Sequence, residues 1–114
     1  MHTEMQLEQI KNEISRDIQN ALGSKLHKII LYGSYARGDY NEDSDIDIMV
    51  LADIEEYETR FFKTMINEVA HRVSLEYNAL VTIFLKDVRS FYRHLEILPY
   101  YQNVINEGVE IHGR

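Results

Sequence analysis

The sequence predicts an α/β fold, in which short apolar strands alternate with amphipathic helices. Apolar runs at 29–32, 46–50 and 79–85 have the length and composition of buried strands. Residues 7–22 and 55–77 instead carry apolar side chains three and four positions apart, which is typical of helices that pack on a sheet. The order helix, strand, strand, helix, strand and short helical tail therefore predicts one sheet covered by helices.

The helices are predicted from their apolar stripes and from the residues that end them. The first stripe ends at Gly23 and consists of Leu7, Ile10, Ile14, Ile18 and Leu22. The second stripe consists of residues four apart, Phe61, Met65, Val69, Val73 and Tyr77. Phe62 and Ile66 lie beside this stripe. Pro99 marks the first turn of a final helix, Tyr100 to Asn106, which Gly108 ends before a short tail, 109–111.

A small-residue turn follows the first strand directly. Gly33 ends the apolar run, and Ser34 is predicted to cap a short helical turn whose backbone amides and hydroxyl point at an anion. Gly33 and Gly38 permit close backbone approach or a positive φ. Arg37 offers a forked cation that suits phosphate oxygens, although it could instead pair with loop acids, Asp39 or Glu42.

Two carboxylates alternate with aliphatic residues at the start of the second strand. Asp45 and Asp47 share one face of an extended chain, about 6.5 to 7 Å apart, where they repel each other unless water or a cation intervenes. Mg²⁺ binds one or two protein carboxylates and fills its octahedron with water and substrate phosphates. An alternative interpretation is that Ser44 and Asp45 close a polar turn while Asp47 lies on a solvated sheet edge.

The two halves form one pattern: Gly33-Ser34, ten residues that include Ala36-Arg37-Gly38, and Asp45-Ile46-Asp47. This pattern resembles the signature of the nucleotidyltransferase superfamily that includes DNA polymerase beta. The order of elements is similar, more closely, to the minimal nucleotidyltransferases, also called MNT or MntA-like proteins. The resemblance implies a nucleotidyltransferase fold: a small mixed β-sheet with helices packed against it, as a single domain over residues 1–114.

The resemblance also implies an activity and a partner. Asp45 and Asp47 would be the catalytic, metal-binding residues, and Gly33, Ser34 and Arg37 would bind the nucleotide, with Mg²⁺ as cofactor and ATP as substrate. MNT proteins are commonly encoded beside a HEPN-domain protein, and some act as antitoxins that transfer AMP onto it. We therefore expect a protein adenylyltransferase of a toxin–antitoxin pair.

One part of the superfamily pattern is missing. A third carboxylate on the neighbouring strand usually completes the site, but that position is expected at Thr82, which is neither a general base nor a good metal ligand. Glu76 precedes this strand and Asp87 follows it, so neither is placed to substitute in a regular strand. The alternative function is therefore a catalytically impaired, nucleotide-binding antitoxin that masks its partner.

Composition limits the remaining classes. The 114-residue chain has no cysteine, which excludes disulfides and thiolate metal sites. Its formal net charge of -7 argues against a protein that grips a nucleic-acid backbone. No apolar stretch has the length of a membrane span, and we expect a cytoplasmic protein. So small a chain leaves a nucleotide half-exposed, and we expect a homo- or hetero-oligomer.

Tyrosines cluster near the C-terminus at Tyr92, Tyr100 and Tyr101. They could stack on a base or contact a partner, but covering the sheet with their hydroxyls in water is the interpretation we favour.

Overall fold

The computed structural model describes residues 4–41 and 43–113. Along the chain the elements are helix α1 Glu4–Leu22, a 3-10 turn Gly23–Lys25, strand β1 Leu26–Tyr32, helix α2 Ser34–Arg37, strand β2 Ile46–Ala52, helix α3 Glu56–Tyr77, strand β3 Val81–Asp87, helix α4 Val88–His94, helix α5 Pro99–Glu107 and strand β4 Val109–Gly113.

The four strands form one mixed sheet in the order β3-β2-β1-β4. Strand β1 is antiparallel to both β2 and β4, whereas β2 is parallel to β3. The parallel pair is joined by α3, the crossover helix that such a connection requires. The mixed sheet with helices packed against it, predicted from the sequence, is confirmed.

The sheet buries a different set of side chains on each face. One face packs against α1 and α3 through Ile29 and Leu31 of β1 and Ile48 and Val50 of β2. The alternate residues of the same strands face α4 and α5, where Phe91 is fully buried. Because both faces of β1 and β2 are covered, these strands read as continuous apolar runs rather than as alternating ones.

Helix α3 has the predicted position, but only part of the predicted stripe faces the core: Val73 is buried, and Val69 and Tyr77 are partly buried against the core. Phe61, placed in the stripe by its spacing of four, is 64% exposed, while Ile66, Ala70 and Val73 are buried. At 3.6 residues per turn, each step of four residues advances the side chain by about 40° around the helix. Three such steps separate Phe61 from Val73, so Phe61 lies about 120° from the buried stripe.

Two elements were not predicted. Helix α4 begins where the carboxylate of Asp87 accepts hydrogen bonds from the backbone amides of Arg89 and Ser90, at 3.2 and 3.3 Å. The expected tail is strand β4, which pairs with β1 so that Val109 lies opposite Leu31. Among the described helices, none combines the length and apolar character needed to cross a bilayer.

Candidate active site

The turn after β1 is built around Gly33, which has φ 77° and ψ −156°, a region that is essentially restricted to glycine. Its carbonyl accepts hydrogen bonds from the amides of Ala36 and Arg37, both at 3.1 Å. Gly33 is therefore the residue before α2, and Ser34 is the first helical residue. The prediction that Ser34 itself caps the turn is wrong, because the N-cap residue of α2 is Gly33, which has no side chain to cap with.

Asp47 lies directly against this turn. A Cβ atom built on Gly33 would come 2.7 Å from Oδ2 of Asp47, closer than side chains normally approach. In the sheet register, Asp47 is the neighbour of Tyr32, the residue that precedes the turn. The two halves of the sequence pattern are thus in contact, although Gly33 and Asp47 are fourteen positions apart in the chain, and glycine is required at the contact.

Strand β2 lies between β1 and β3, so Asp47 belongs to an interior strand. The alternative interpretation, in which Asp47 lies on a solvated sheet edge, is therefore wrong. Asp47 is partly buried, and Asp45, just before the strand, is exposed. This difference gives the two carboxylates different environments at one end of β2.

Burial raises the pKa of Asp47, and the negative charge of Asp45 raises it further. A divalent cation between these side chains would offset the repulsion, and a carboxylate pair that leaves coordination positions for water and phosphate suits Mg²⁺. Within residues 4–41 and 43–113, no three His, Asp or Glu side chains are grouped so that they could hold a metal ion. The carboxylate pair would thus be the protein's contribution to an ion there, and substrate and water would supply the remaining ligands.

Thr82 occupies the third position. It is the register neighbour of Asp47 on the other side, in the parallel pair of β2 and β3. Asp87 lies at the far end of β3, in register with Ala52, where it caps α4. Glu76 is on α3, where it lies 3.9 Å from Arg72. Asp87 is thus five residues along β3 from the neighbour of Asp47, and Glu76 is not part of the sheet.

Arg37 is exposed and forms two ion pairs. Its Nε donates to Asp39 at 3.2 Å, and its Nη1 donates to Glu107 of α5 at 3.1 Å. The hydrogen bonds to Asp39 and Glu107 raise the pKa of the guanidinium. The loop pairing with Asp39 is confirmed, whereas Glu42 lies outside the described residues. Glu107 carried no sequence signal, because it is seventy positions from Arg37 in the chain.

A tyrosine pair on the same side of the sheet was also missed. The hydroxyls of Tyr32 and Tyr100 hydrogen-bond each other, and their rings meet edge to face with centroids 5.8 Å apart. Burial raises the pKa of Tyr32, and Tyr100 and Asp47 add to this effect. The ring of Tyr101 stacks on Phe91 at 4.5 Å. Tyr100 and Tyr101 thus cover the sheet as the sequence predicted, but the hydroxyl of Tyr100 bonds to Tyr32, where the prediction placed it in water.

Comparison with known proteins agrees with this geometry. Residues 7–108 match the family model described as "Nucleotidyltransferase domain". A protein of Methanocaldococcus jannaschii named "putative protein adenylyltransferase" is 37% identical over 109 residues, which cover 94% of this chain and all of the relative.

Solved structures share the fold. A chain of a toxin–antitoxin complex with AMP-PNP is 24% identical, with a TM-score of 0.58, over 91% of this chain and 73% of that one. A chain from a complex of a tri-AMPylated HEPN toxin with an MNT antitoxin of Shewanella oneidensis is 23% identical, with a TM-score of 0.54, over 94% of this chain and 72% of that one.

Proposed function

Since the chain belongs to the nucleotidyltransferase domain family, we propose that it is a magnesium-dependent enzyme that transfers AMP from ATP to a partner protein. The observation that carries this proposal is the contact between the Gly33 turn and Asp47. That contact joins a phosphate-binding turn to a carboxylate pair, which a nucleotidyl transfer needs and a purely structural turn does not.

Each predicted site residue has a role that its surroundings support. Asp45 and Asp47 hold Mg²⁺, which would neutralise charge on the triphosphate and orient it. Gly33 and Ser34 hold phosphate oxygens, because within the described chain the backbone bonds of this turn begin at Ala36 and leave the amides of Ser34 and Tyr35 unused.

Arg37 binds the triphosphate by exchanging its present partners for phosphate oxygens. Its two ion pairs, with Asp39 and Glu107, are exposed. Exposed pairs of this kind contribute little to stability, because water screens the charges. Their loss is therefore a small cost beside bidentate contacts to a phosphate.

In the reaction, a hydroxyl oxygen of the acceptor attacks the α-phosphorus of ATP. A new oxygen–phosphorus bond forms, the bond between the α-phosphorus and the bridging oxygen breaks, and pyrophosphate leaves. The acceptor proton passes to solvent or to a group of the partner, because Thr82 cannot take it. Catalysis by this chain is thus mainly positioning and charge neutralisation.

The partner we propose is a HEPN-type protein encoded beside the chain, with both acting in the cytoplasm as a toxin–antitoxin pair. Two findings support this choice. A relative over nearly the whole chain is named as a protein adenylyltransferase. A structural neighbour comes from a complex that contains an AMPylated HEPN toxin.

The test is the intact mass of the HEPN partner after incubation with this chain and magnesium-ATP. We expect the partner to gain mass in whole AMP units. This gain should disappear when either Asp45→Asn or Asp47→Asn replaces the wild-type chain. The matched control is Asp43→Asn, an exposed loop carboxylate that should retain activity. An unmodified partner, with wild-type chain that binds it, would refute the proposed transfer.

Thr82 favours a second candidate function. Its place beside Asp47 removes the expected third acid, so the chain could bind nucleotide and mask the partner without modifying it. This function predicts a stable complex, no mass gain, and inhibition of the partner that survives Asp45→Asn and Asp47→Asn. Thr82→Asp separates the two: it should create or increase transfer only if the third acid limits the reaction.

A further inference from the structure

The outer edge of β3 carries unpaired backbone groups. Strand β3 is at one end of the sheet, so it pairs on one side alone, with β2. The carbonyl of Leu80 accepts a hydrogen bond from the amide of Ile46 at 2.9 Å. The backbone amides and carbonyls of Leu80 and of every second residue after it therefore point toward β2. The residues between them, Val81, Ile83 and Leu85, direct their amides and carbonyls outward.

Both ends of this edge are already occupied. The hydroxyl of Ser74 accepts from the amide of Val81 at 3.0 Å and lies 3.4 Å from its carbonyl. At the other end, Asp87 turns the chain into α4. In the described part of the chain, the outward groups of Ile83 and Leu85 thus make no hydrogen bond, and Phe84 lies midway between these two residues.

Apolar side chains surround this short edge. Phe84 is 42% exposed and Leu80 is 59% exposed. Leu75, on the neighbouring part of α3, is 72% exposed. It lines an open groove of about 620 Å³ that runs from α3 to Thr82 and Ile83 of the strand. Large exposed apolar residues beside an open sheet edge indicate an interaction surface.

We propose that this edge pairs with the same edge of a second copy of the chain. The two β3 strands would run antiparallel about a two-fold axis at Phe84. The amide and carbonyl of Ile83 would then pair with those of Leu85 in the second copy, and those of Leu85 with those of the second Ile83. These hydrogen bonds satisfy all four outward backbone groups of each chain. The two sheets would become one sheet of eight strands.

The shape of the free edge selects a second copy over an unrelated strand. The two unpaired residues are placed symmetrically about Phe84, so the edge is complementary to itself in the antiparallel direction. Opposite residues also suit each other, because Thr82 faces Lys86 of the other copy and no like charges meet. A longer partner strand would find its pairing groups blocked by Ser74 at one end and by α4 at the other.

A single engineered cysteine tests the register, because the chain has no cysteine of its own. In the proposed pair the two Cα atoms at position 84 lie about 4.5 Å apart, within the range of a disulfide. Those at position 86 lie on opposite sides of the axis, about 14 Å apart along the strands. Phe84→Cys should therefore form a disulfide-linked dimer under mild oxidation, while Lys86→Cys stays monomeric on non-reducing gels.

Sedimentation equilibrium tests the pairing itself. The wild-type chain should associate to a dimer as its concentration rises. Phe84→Glu should abolish association, because it places two carboxylates on the axis. Phe84→Lys should do the same, because it places two ammonium groups there. An equal mixture of these two variants should restore the dimer, and Val109→Glu, on the opposite sheet edge, should leave association unchanged. A wild-type monomer from micromolar to millimolar concentration, or equal cross-linking at positions 84 and 86, would overturn the proposal.

Discussion

Replacing Gly33 with alanine tests the contact on which the site depends. The new methyl group would lie 2.7 Å from Oδ2 of Asp47, so the carboxylate must rotate away from the turn. The backbone must also hold φ at 77° and ψ at −156°, which an L residue with a side chain adopts only under strain. The substitution therefore acts on stability and on the position of the Asp47 carboxylate together.

The magnitude follows from these two terms. Strain in this backbone region costs about 1 to 3 kcal/mol, and forcing an extra methyl group into a filled space costs about 1 to 3 kcal/mol more. We expect Gly33→Ala to lower the free energy of unfolding by about 3 to 4 kcal/mol, which leaves a domain of ordinary stability folded at 25 °C. Displacement of Asp47 should lower the rate of transfer about 100-fold.

Gly38→Ala is the matched control. Gly38 also has a positive φ, of 86°, but a Cβ atom there would meet nothing within 4 Å. It should cost only the backbone strain, about 1 to 2 kcal/mol, with little change in transfer. Urea denaturation gives the stabilities, and the mass of the modified partner gives the rates. Equal losses of stability and activity in the two variants would refute the reasoning.

A double-mutant cycle isolates the clash. In an Asp47→Ala background the carboxylate is absent, so Gly33→Ala should cost less stability than in the wild type. The difference between the two costs is the coupling energy, which we expect at about 1 to 2 kcal/mol. A coupling near zero would show that Gly33 and Asp47 are independent.

Three further predictions concern single side chains. Burial and a neighbouring carboxylate raise the pKa of Asp47, so the metal-free protein loses stability as pH rises through that pKa. In EDTA at pH 7, Asp47→Asn should therefore be more stable than the wild type. This difference in stability should vanish in acid, where Asp47 is protonated. Ser74→Ala removes the hydroxyl that pairs with Val81, and thermal melting should show a loss of about 1 to 2 kcal/mol. The hydrogen bond from Tyr77 to Glu13 raises the pKa of the phenol to about 12, so the stability it contributes should be lost as pH rises from 10 through 12, and Tyr77→Phe should remove this part of the alkaline transition.

The sequence was most informative where one local pattern determined the outcome. The stripes of α1 and α3 and the apolar runs of β1 and β2 located these elements, because burial on a sheet requires those periods. The Gly33 and Asp47 pattern singled out two residues that the fold brings into contact, and their role in a site stays a prediction. Strand β4 was missed, since five residues carry too little alternation to separate a strand from a tail.

Long-range pairings could not be predicted in the same way. Nothing in the sequence near Arg37 indicates that Glu107 is its partner, and nothing near Tyr32 indicates Tyr100. The prediction for Phe61 failed for a simpler reason. Residues four apart were assigned to one helix face, although each step of four turns the side chain by about 40° around the helix axis. In each case the partner or the buried face depends on how the helices and strands pack together. The local sequence by itself does not determine that packing.

Helix α5 is tied to both sides of the Gly33 turn, by the Tyr32 and Tyr100 hydroxyls and by the ion pair of Arg37 with Glu107. These contacts join residues 68 and 70 positions apart, so during synthesis they form only after helix α5 has left the ribosome. Strand β4, which completes the sheet beside β1, is made later still. A growing polypeptide would thus carry Gly33 and Asp47 long before the helix that braces the turn between them.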